Sequence, residues 1–525
     1  MLRSRIYRVF NFFYSQSRNI SIKTSLNKSI NLSESGLLRK LGTNELYYNE
    51  ICSNGFNQII CTITIETELD LYSNLISLEK AIQLWKLQHP FLNCTVSNYE
   101  EEKYFLKVKN PEFLNNVEFL KYTPFYDLNS EMQAEHVLYQ FVRKLCPLAK
   151  QQDDNRVIWS KINDIFLNTP LTININEYLW KLFFIKLDST RYCVVFNSHF
   201  EIVNQSACFS LVKQLFKIID ATYAQKPLTS EFHLIHQVPK SLEEYFKSQN
   251  RYEFRSHKLP KSILDTDCSA HNKVALDGII SKLDKDTRFL EQVTLNKKAE
   301  KLILDKNMTK KFLENCKLHS TEPSSCLAVL MSLALQKAFK NFIVVENEIL
   351  YTLAVSINQL VKEKIHNQTL GHYDTQIVEK IDTDDLNEVL ESGETNKLWK
   401  LANKETRKND DNFSEEKMFE YSVLKKEDLD KILNNYDSNE FIFHFSISNF
   451  GSHPTFPNLI GKFKILDLQS GTTTSKYGIQ SYLFNISLCS VNDELNINFN
   501  YQTALRQEFI RCVIDTFNEN LKQLL

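Results

Sequence analysis

The sequence predicts an α+β chain folded as two lobes of comparable size. Two patterns carry that expectation. Apolar runs that alternate with period two are interleaved with segments whose apolar residues recur at helical spacing, and the second half repeats the alphabet of the first without a short-period repeat. The composition is a third observation: 525 residues, 43% hydrophobic and 12% aromatic, are enough to fill a large core and to divide it between domains.

The elements follow in order. Gln58 to Thr67 (QIICTITIET) alternates and reads as a strand. Asn74 to Gln88 reads as a helix with Leu75, Leu78, Ala81, Ile82 and Trp85 on one face. Pro90 stops it by disfavouring helical backbone at His89, and Phe91 to Val96 reads as the next strand. Residues 101 to 170 are polar and irregular in pattern. Tyr192 to Ser198 (YCVVFNS) is a strand ending at His199, and a helix follows from about Gln205 to Tyr223. In the second half Pro323 opens a helix to about Phe339, and Tyr351 to Ile357 is a strand. The run Lys397 to Lys408 is helical, and Phe441 to Ser448 is a strand that meets Asn449-Phe450-Gly451. Strands at Tyr482 to Cys489 and Glu494 to Tyr501 lead into a closing helix from about Arg506 to Leu524. Trp85, Trp180 and Trp399 stand among apolar residues and read as core. The expected divisions are a basic targeting segment at 1–33, an N-terminal lobe at 34–245, a crossover linker at 246–275 and a C-terminal lobe at 276–525.

Several function classes are disfavoured. Only 10 glycines occur, where average usage of ~7% would give about 37. There is no Gly-x-Gly-x-x-Gly turn and no Gly-x-x-x-x-Gly-Lys loop, so nucleotide cradles built from backbone amides are not expected. A net charge of -2 offers no general attraction to nucleic acid. The 11 cysteines contain no Cys-x-x-Cys pair, and they read as free thiols in a reducing compartment. His233 and His236 share a helical spacing, but no neighbouring cluster supports them, and no metal site is expected. The longest uncharged apolar run, Cys326 to Leu335, is half a membrane span, so no transmembrane segment is expected.

Leu78 to Val96 (LEKAIQLWKLQHPFLNCTV) resembles the opening of the chloramphenicol-acetyltransferase-like acyltransferases, a superfamily that includes alcohol acetyltransferases and peptide-synthetase condensation domains. Leu37 to Glu50 (LLRKLGTNELYYNE) is similar to the start of the alcohol acetyltransferase branch. Asn197 to Phe216 (NSHFEIVNQSACFSLVKQLF) sits where the family has its His-x-x-x-Asp-Gly motif. Tyr351 to Leu360 with Leu370 to Thr375, Leu398 to Lys408 (LWKLANKETRK) and Ile447 to Gly451 (ISNFG) are similar to later family segments, in family order.

The resemblance implies two lobes, each a mixed β-sheet flanked by helices, with a tunnel between them. It implies transfer of an acyl group from a coenzyme A-type thioester to a hydroxyl or amine, with acyl-CoA as co-substrate and no tightly bound cofactor. His199 takes the motif position of the general base, a role that suits imidazole with its unperturbed pKa of ~6.5. Ser448, Asn449 and Gly451 would hold the acyl or acceptor group, or would form a plain strand-ending turn. The motif aspartate, which in the family pairs with a second-lobe arginine, is Val203 here, and the motif glycine is Asn204. The arginine expected near Asn358 is replaced by Gln359-Leu360. Losing one partner of a buried pair costs about 3–5 kcal/mol, whereas losing both is tolerated. Asn204 is the kind of residue that can replace glycine in a left-handed turn. Three readings of His199 stay open: a surviving base, a remnant in a catalytically inactive relative that binds a ligand or partner, or a satisfied strand-end histidine.

The first 33 residues carry Arg3, Arg5, Arg8, Arg18, Lys23 and Lys28, and no acid precedes Glu34. On a helix, Leu2, Ile6, Val9, Phe10 and Phe13 fall within a stripe of roughly 100°. This is the profile of a mitochondrial presequence. The alternatives are a helix lying on an anionic membrane surface through residues 1–20, and a basic tail on a cytoplasmic protein. A fluorescent fusion lacking residues 1–33 should stay out of mitochondria while the full chain enters; equal import of both would refute the presequence.

Overall fold

In a computed structural model, which describes residues 37–52, 58–99, 102–108, 117–121, 162–164, 166–167, 178–227, 238–248, 297–344, 346–356, 370, 374–412, 443–449, 459–473, 482–502 and 505–525, the alternating runs become two six-stranded mixed sheets. Contacts divide the chain into Met1–Leu37 and Leu38–Leu525, and the second unit holds both sheets.

The first half contributes β1 (Leu37–Lys40), α1 (Thr43–Cys52), β2 (Ile59–Glu66), α2 (Leu75–Gln88), β3 (Cys94–Tyr99), β4 (Glu102–Lys107), β5 (Val117–Lys121), β6 (Trp180–Lys186), β7 (Arg191–Ser198), α3 (Gln205–Tyr223) and α4 (Leu242–Ser248). The second half contributes β8 (Lys297–Leu304), α5 (Lys306–Leu318), α6 (Pro323–Asn341), β9 (Glu348–Ser356), β10 (Asp374–Asp382), α7 (Thr383–Ser392), α8 (Thr395–Asn412), β11 (Phe443–Asn449), β12 (Leu459–Ile460), β13 (Phe463–Thr472), β14 (Tyr482–Val491), β15 (Glu494–Gln502) and α9 (Gln507–Gln523).

The first sheet has the order β12-β13-β2-β7-β6-β5. Its core is closed by α2 and α3. Trp85 and Trp180 are fully buried, with rings edge to face at 5.4 Å. Their indole N–H groups donate to the Leu211 carbonyl at 3.1 Å and the Leu92 carbonyl at 2.9 Å, so burial leaves no donor unpaired. The second sheet has the order β10-β9-β11-β14-β15-β8, in which β11 runs parallel to both of its neighbours. Helix α6 is buried along nearly its whole length because its sequence is apolar all round. Helix α9 stacks Phe509 on Phe339 and sets Phe517 edge-on to Phe499.

The sequence reading starts β3 too early, and the stretch it leaves irregular, 101 to 170, holds β4 and β5. Pro90–Asn93 forms a single 3₁₀ turn, and the strand begins at Cys94. The fixed φ of proline suits the first position of such a turn, and the Leu92 N–H bonds the His89 carbonyl at 2.8 Å. Phe91 and Leu92 are therefore core residues of a turn rather than of a strand. The 1–33 segment, most of the 246–275 linker, and His233 with His236 lie outside the described residues. The nine cysteines among the described residues are thiols rather than disulfides, and all but Cys512 are buried. No helix among them is long and apolar enough to cross a membrane.

The two sheets are joined by a strand that changes sides. β13 belongs to the second half of the chain, yet it pairs antiparallel with β2 from Lys464↔Glu66 to Thr472↔Ile59, with a bulge before Asp467. Across the junction, Ser487 donates to the Ser470 carbonyl at 3.0 Å, and Lys301 of β8 pairs with Asp467. The backbone passes close at Gly471, where a Cβ would lie 2.7 Å from the Leu167 side chain.

Asp164 strengthens the same junction by accepting from the Ala299 N–H of β8 at 2.8 Å. Burial pushes its carboxyl up to about 7, against the pull of that hydrogen bond and of Lys298. A folded pKa raised above the unfolded ~3.9 gives stability that is full in acid and is lost as pH rises towards 7. Asp164→Asn keeps the acceptor oxygen and loses the charge. In thermal melts from pH 4 to 8 the variant should gain on the wild type as pH rises; a constant offset would refute this assignment.

Candidate active site

Strand β7 is hydrogen-bonded on both sides up to Ser198, which faces Ile59 of β2 and Trp180 of β6. His199 is therefore the first residue past the sheet, and its N–H is still fixed to the Leu179 carbonyl at 2.9 Å. A tight turn follows, closed by the Ile202 N–H on the His199 carbonyl at 3.4 Å, and α3 begins at Gln205.

Asn204 does not adopt the left-handed turn considered for it. Its φ of -94° and ψ of 169° are extended, and its side chain accepts from the Ala207 N–H at 2.7 Å as the helix N-cap. An N-cap needs extended backbone, so the capping role excludes the glycine-like one. Val203, in the aspartate position, is fully buried in the apolar core of the first lobe. The second-lobe positions Asn358, Gln359 and Leu360 lie outside the described residues.

The partner of His199 comes instead from Glu201, only two residues on. Glu201 Oε1 lies 2.9 Å from His199 Nδ1 and accepts from the Asn49 amide of α1 at 3.1 Å. Asn49 in turn accepts from the Lys103 ammonium of β4 at 2.7 Å. Burial alone would raise the Glu201 pKa, but the neighbouring His199 and the hydrogen bonds from His199 and Asn49 outweigh it and hold the carboxyl below its ordinary range. An anionic acceptor on Nδ1 places the imidazole proton there, leaving Nε2 as the basic nitrogen.

Nε2 faces the side-chain amide of Gln58 at 3.2 Å. Gln58 is clamped by β13: its N–H donates to Thr473 Oγ1 at 2.8 Å, and the Thr473 N–H donates to its carbonyl at 2.8 Å. His199 is 1% exposed, and Gln58 and Glu201 are fully buried. Cys52, at the end of α1, completes the group. Its sulfur and the nearest ligand atoms of His199 and Glu201 all lie within 4.8 Å of one another. Burial pushes the Cys52 thiol well up, and the Glu201 charge adds to the effect.

Two of the other predicted site residues, Ser448 and Asn449, lie on the second sheet. Ser448 is buried on β11 between Ser487 of β14 and Ala354 of β9. Asn449 is exposed, still within the strand, and its amide donates to Ser324 at 2.7 Å at the start of α6. Gly451 lies outside the described residues. Sequence reasoning missed Glu201, Asn49, Gln58 and Cys52. Only Glu201 left a local signal, an acid set in an otherwise apolar FEIV turn.

The sequence matches no protein-family profile and no curated protein. Solved structures do match. A trichothecene 15-O-acetyltransferase from Fusarium sporotrichioides is 13% identical, with a TM-score of 0.61 over 95% of this chain and 97% of that one. Polyketide synthase associated protein 5 from Mycobacterium tuberculosis is 12% identical, with a TM-score of 0.58 over 93% and 99%. The epimerization domain from the third module of tyrocidine synthetase B is 14% identical, with a TM-score of 0.56 over 94% and 98%. Two mixed sheets joined by an exchanged strand, with a histidine at the end of β7, give this chain the two-lobed α+β fold of the chloramphenicol-acetyltransferase-like acyltransferases and condensation domains.

Proposed function

We propose that this chain is an acyltransferase that moves an acyl group from a coenzyme A-type thioester to a hydroxyl or amine, with His199 as general base. The observation that carries the reading is the Glu201 carboxylate 2.9 Å from Nδ1, which leaves the lone pair on Nε2. The acceptor displaces the Gln58 amide from Nε2 and gives its proton to that nitrogen as its oxygen or nitrogen attacks the thioester carbonyl. Collapse of the tetrahedral intermediate breaks the C–S bond, and the Nε2 proton passes to the departing sulfur, yielding an ester or amide and a free thiol. Glu201 stabilises the transient imidazolium and holds the ring, the part a buried carboxylate plays beside a catalytic histidine. An O-acetyltransferase among the proteins of this fold supports a hydroxyl acceptor. A condensation domain of a synthetase also shares the fold. The acid-free basic N-terminus and the described cysteines' lack of disulfides support a mitochondrial location.

The Gln58 amide on Nε2, with the imidazole almost fully buried, favours a second reading: a catalytically inactive relative that binds a ligand or a partner. Release of free thiol from a panel of acyl-CoA thioesters in the presence of alcohols and amines separates the two. His199→Ala should lower the rate ~10²–10⁴-fold. Glu201→Gln should lower kcat with KM nearly unchanged, since Glu201 acts through the histidine. Equal rates for wild type and His199→Ala would leave the second reading standing.

A further inference from the structure

We propose that Cys52, His199 and Glu201 form a binding site for a thiophilic divalent cation such as Zn²⁺. The three come from two places in the chain, the end of α1 and the turn after β7, and their ligand atoms lie within 4.8 Å of one another. Tetrahedral zinc with bonds of ~2.0–2.3 Å fits a cluster of this size after small side-chain adjustments. All three residues are buried, and Glu201 Oε2 has no hydrogen-bond partner among the described residues. An orphan oxygen on a carboxylate grouped with a thiol and an imidazole is what a cation would satisfy.

The donor set is one sulfur, one nitrogen and one oxygen, which selects zinc or cobalt over magnesium or calcium. A thiolate, a carboxylate and a neutral imidazole together balance a 2+ charge, so a filled site is electrically neutral in a buried setting. Three protein ligands leave a fourth position for water or a substrate atom.

The outer partners suit the same role. Asn49 donates to the Glu201 carboxylate at 3.1 Å and fixes its direction. Coordination through Nδ1 moves the imidazole proton to Nε2, and Gln58 at 3.2 Å accepts it by presenting its amide oxygen in place of nitrogen. The Cys52 thiol proton leaves to solvent, so one proton is released per cation bound. With Nδ1 on the metal and Nε2 protonated, the imidazole has no lone pair for an acceptor. Cation binding and base catalysis by His199 therefore exclude one another, and the cation site stands independently of the acyl-transfer reading.

The test is titration of the purified full chain with Co²⁺, which reports a sulfur ligand by a thiolate-to-metal charge-transfer band and a tetrahedral site by intense visible bands. One equivalent should bind with both signatures and be displaced by Zn²⁺. Cys52→Ser should abolish the charge-transfer band, and Glu201→Gln should weaken binding at least ~10-fold. Absence of the band in the wild type would overturn the proposal without recourse to any variant. An unchanged band in folded Cys52→Ser protein would do the same, by placing the metal on another cysteine. Neither outcome bears on the thiol-release comparison of His199→Ala.

Discussion

Strand β13 is made by the second half of the chain but hydrogen-bonded into the first sheet beside β2, and the geometry around His199 depends on that pairing. The register Thr472↔Ile59 brings Thr473 alongside Gln58, where two hydrogen bonds of 2.8 Å fix the Gln58 backbone. Gln58 is thereby aimed at His199, which the neighbouring strand β7 delivers at its end. The same strand carries Ser470, which receives Ser487 from the second sheet and the Gln205 amide from the start of α3. One strand thus sets the spacing of the lobes and the surroundings of the imidazole.

The electrostatics of the histidine turn are reorganised rather than lost. Where the resemblance led one to expect an aspartate, Val203 packs into the apolar core and needs no partner. The acid stands two positions after the histidine, and its anion is compensated by His199 and the Asn49 amide rather than by a distant guanidinium. A buried anion tolerates this because each contact is a hydrogen bond to its charged form. Asn204 shows the same economy of means: the turn is held by a helix cap, a role for which asparagine is better suited than glycine.

The fold was legible where periodicity was strong. The helix from Gln205 to Tyr223 and the strands β2, β7 and β14 follow directly from their apolar spacing. Strand β13 was not legible, because Phe463–Thr472 mixes lysine, aspartate and glycine into its alternation, and its membership of the first sheet is a matter of topology. Pro90 ends α2 as its effect on His89 requires, but the 3₁₀ turn that it also opens is not legible, since the same fixed φ serves both. Of the site, His199 could be found from its position after a strand and before a helix. Asn49, Cys52 and Gln58 could not, because nothing in a linear sequence says that α1 and the start of β2 close over the end of β7.

The exchanged strand also sets an order of events in biosynthesis. Gln58 and Thr473, which meet in the finished protein, are 415 residues apart. Until Thr473 has been synthesised, the free edge of β2, with its apolar residues Ile59, Ile63 and Ile65, has no neighbour on that side. An unpaired apolar edge is a template for aggregation. Contacts of such long sequence separation also form slowly. The first sheet therefore cannot be completed as it leaves the ribosome. Its last strand arrives with the second lobe, so the nascent chain must be shielded until both halves are present, and the His199 site is assembled only then.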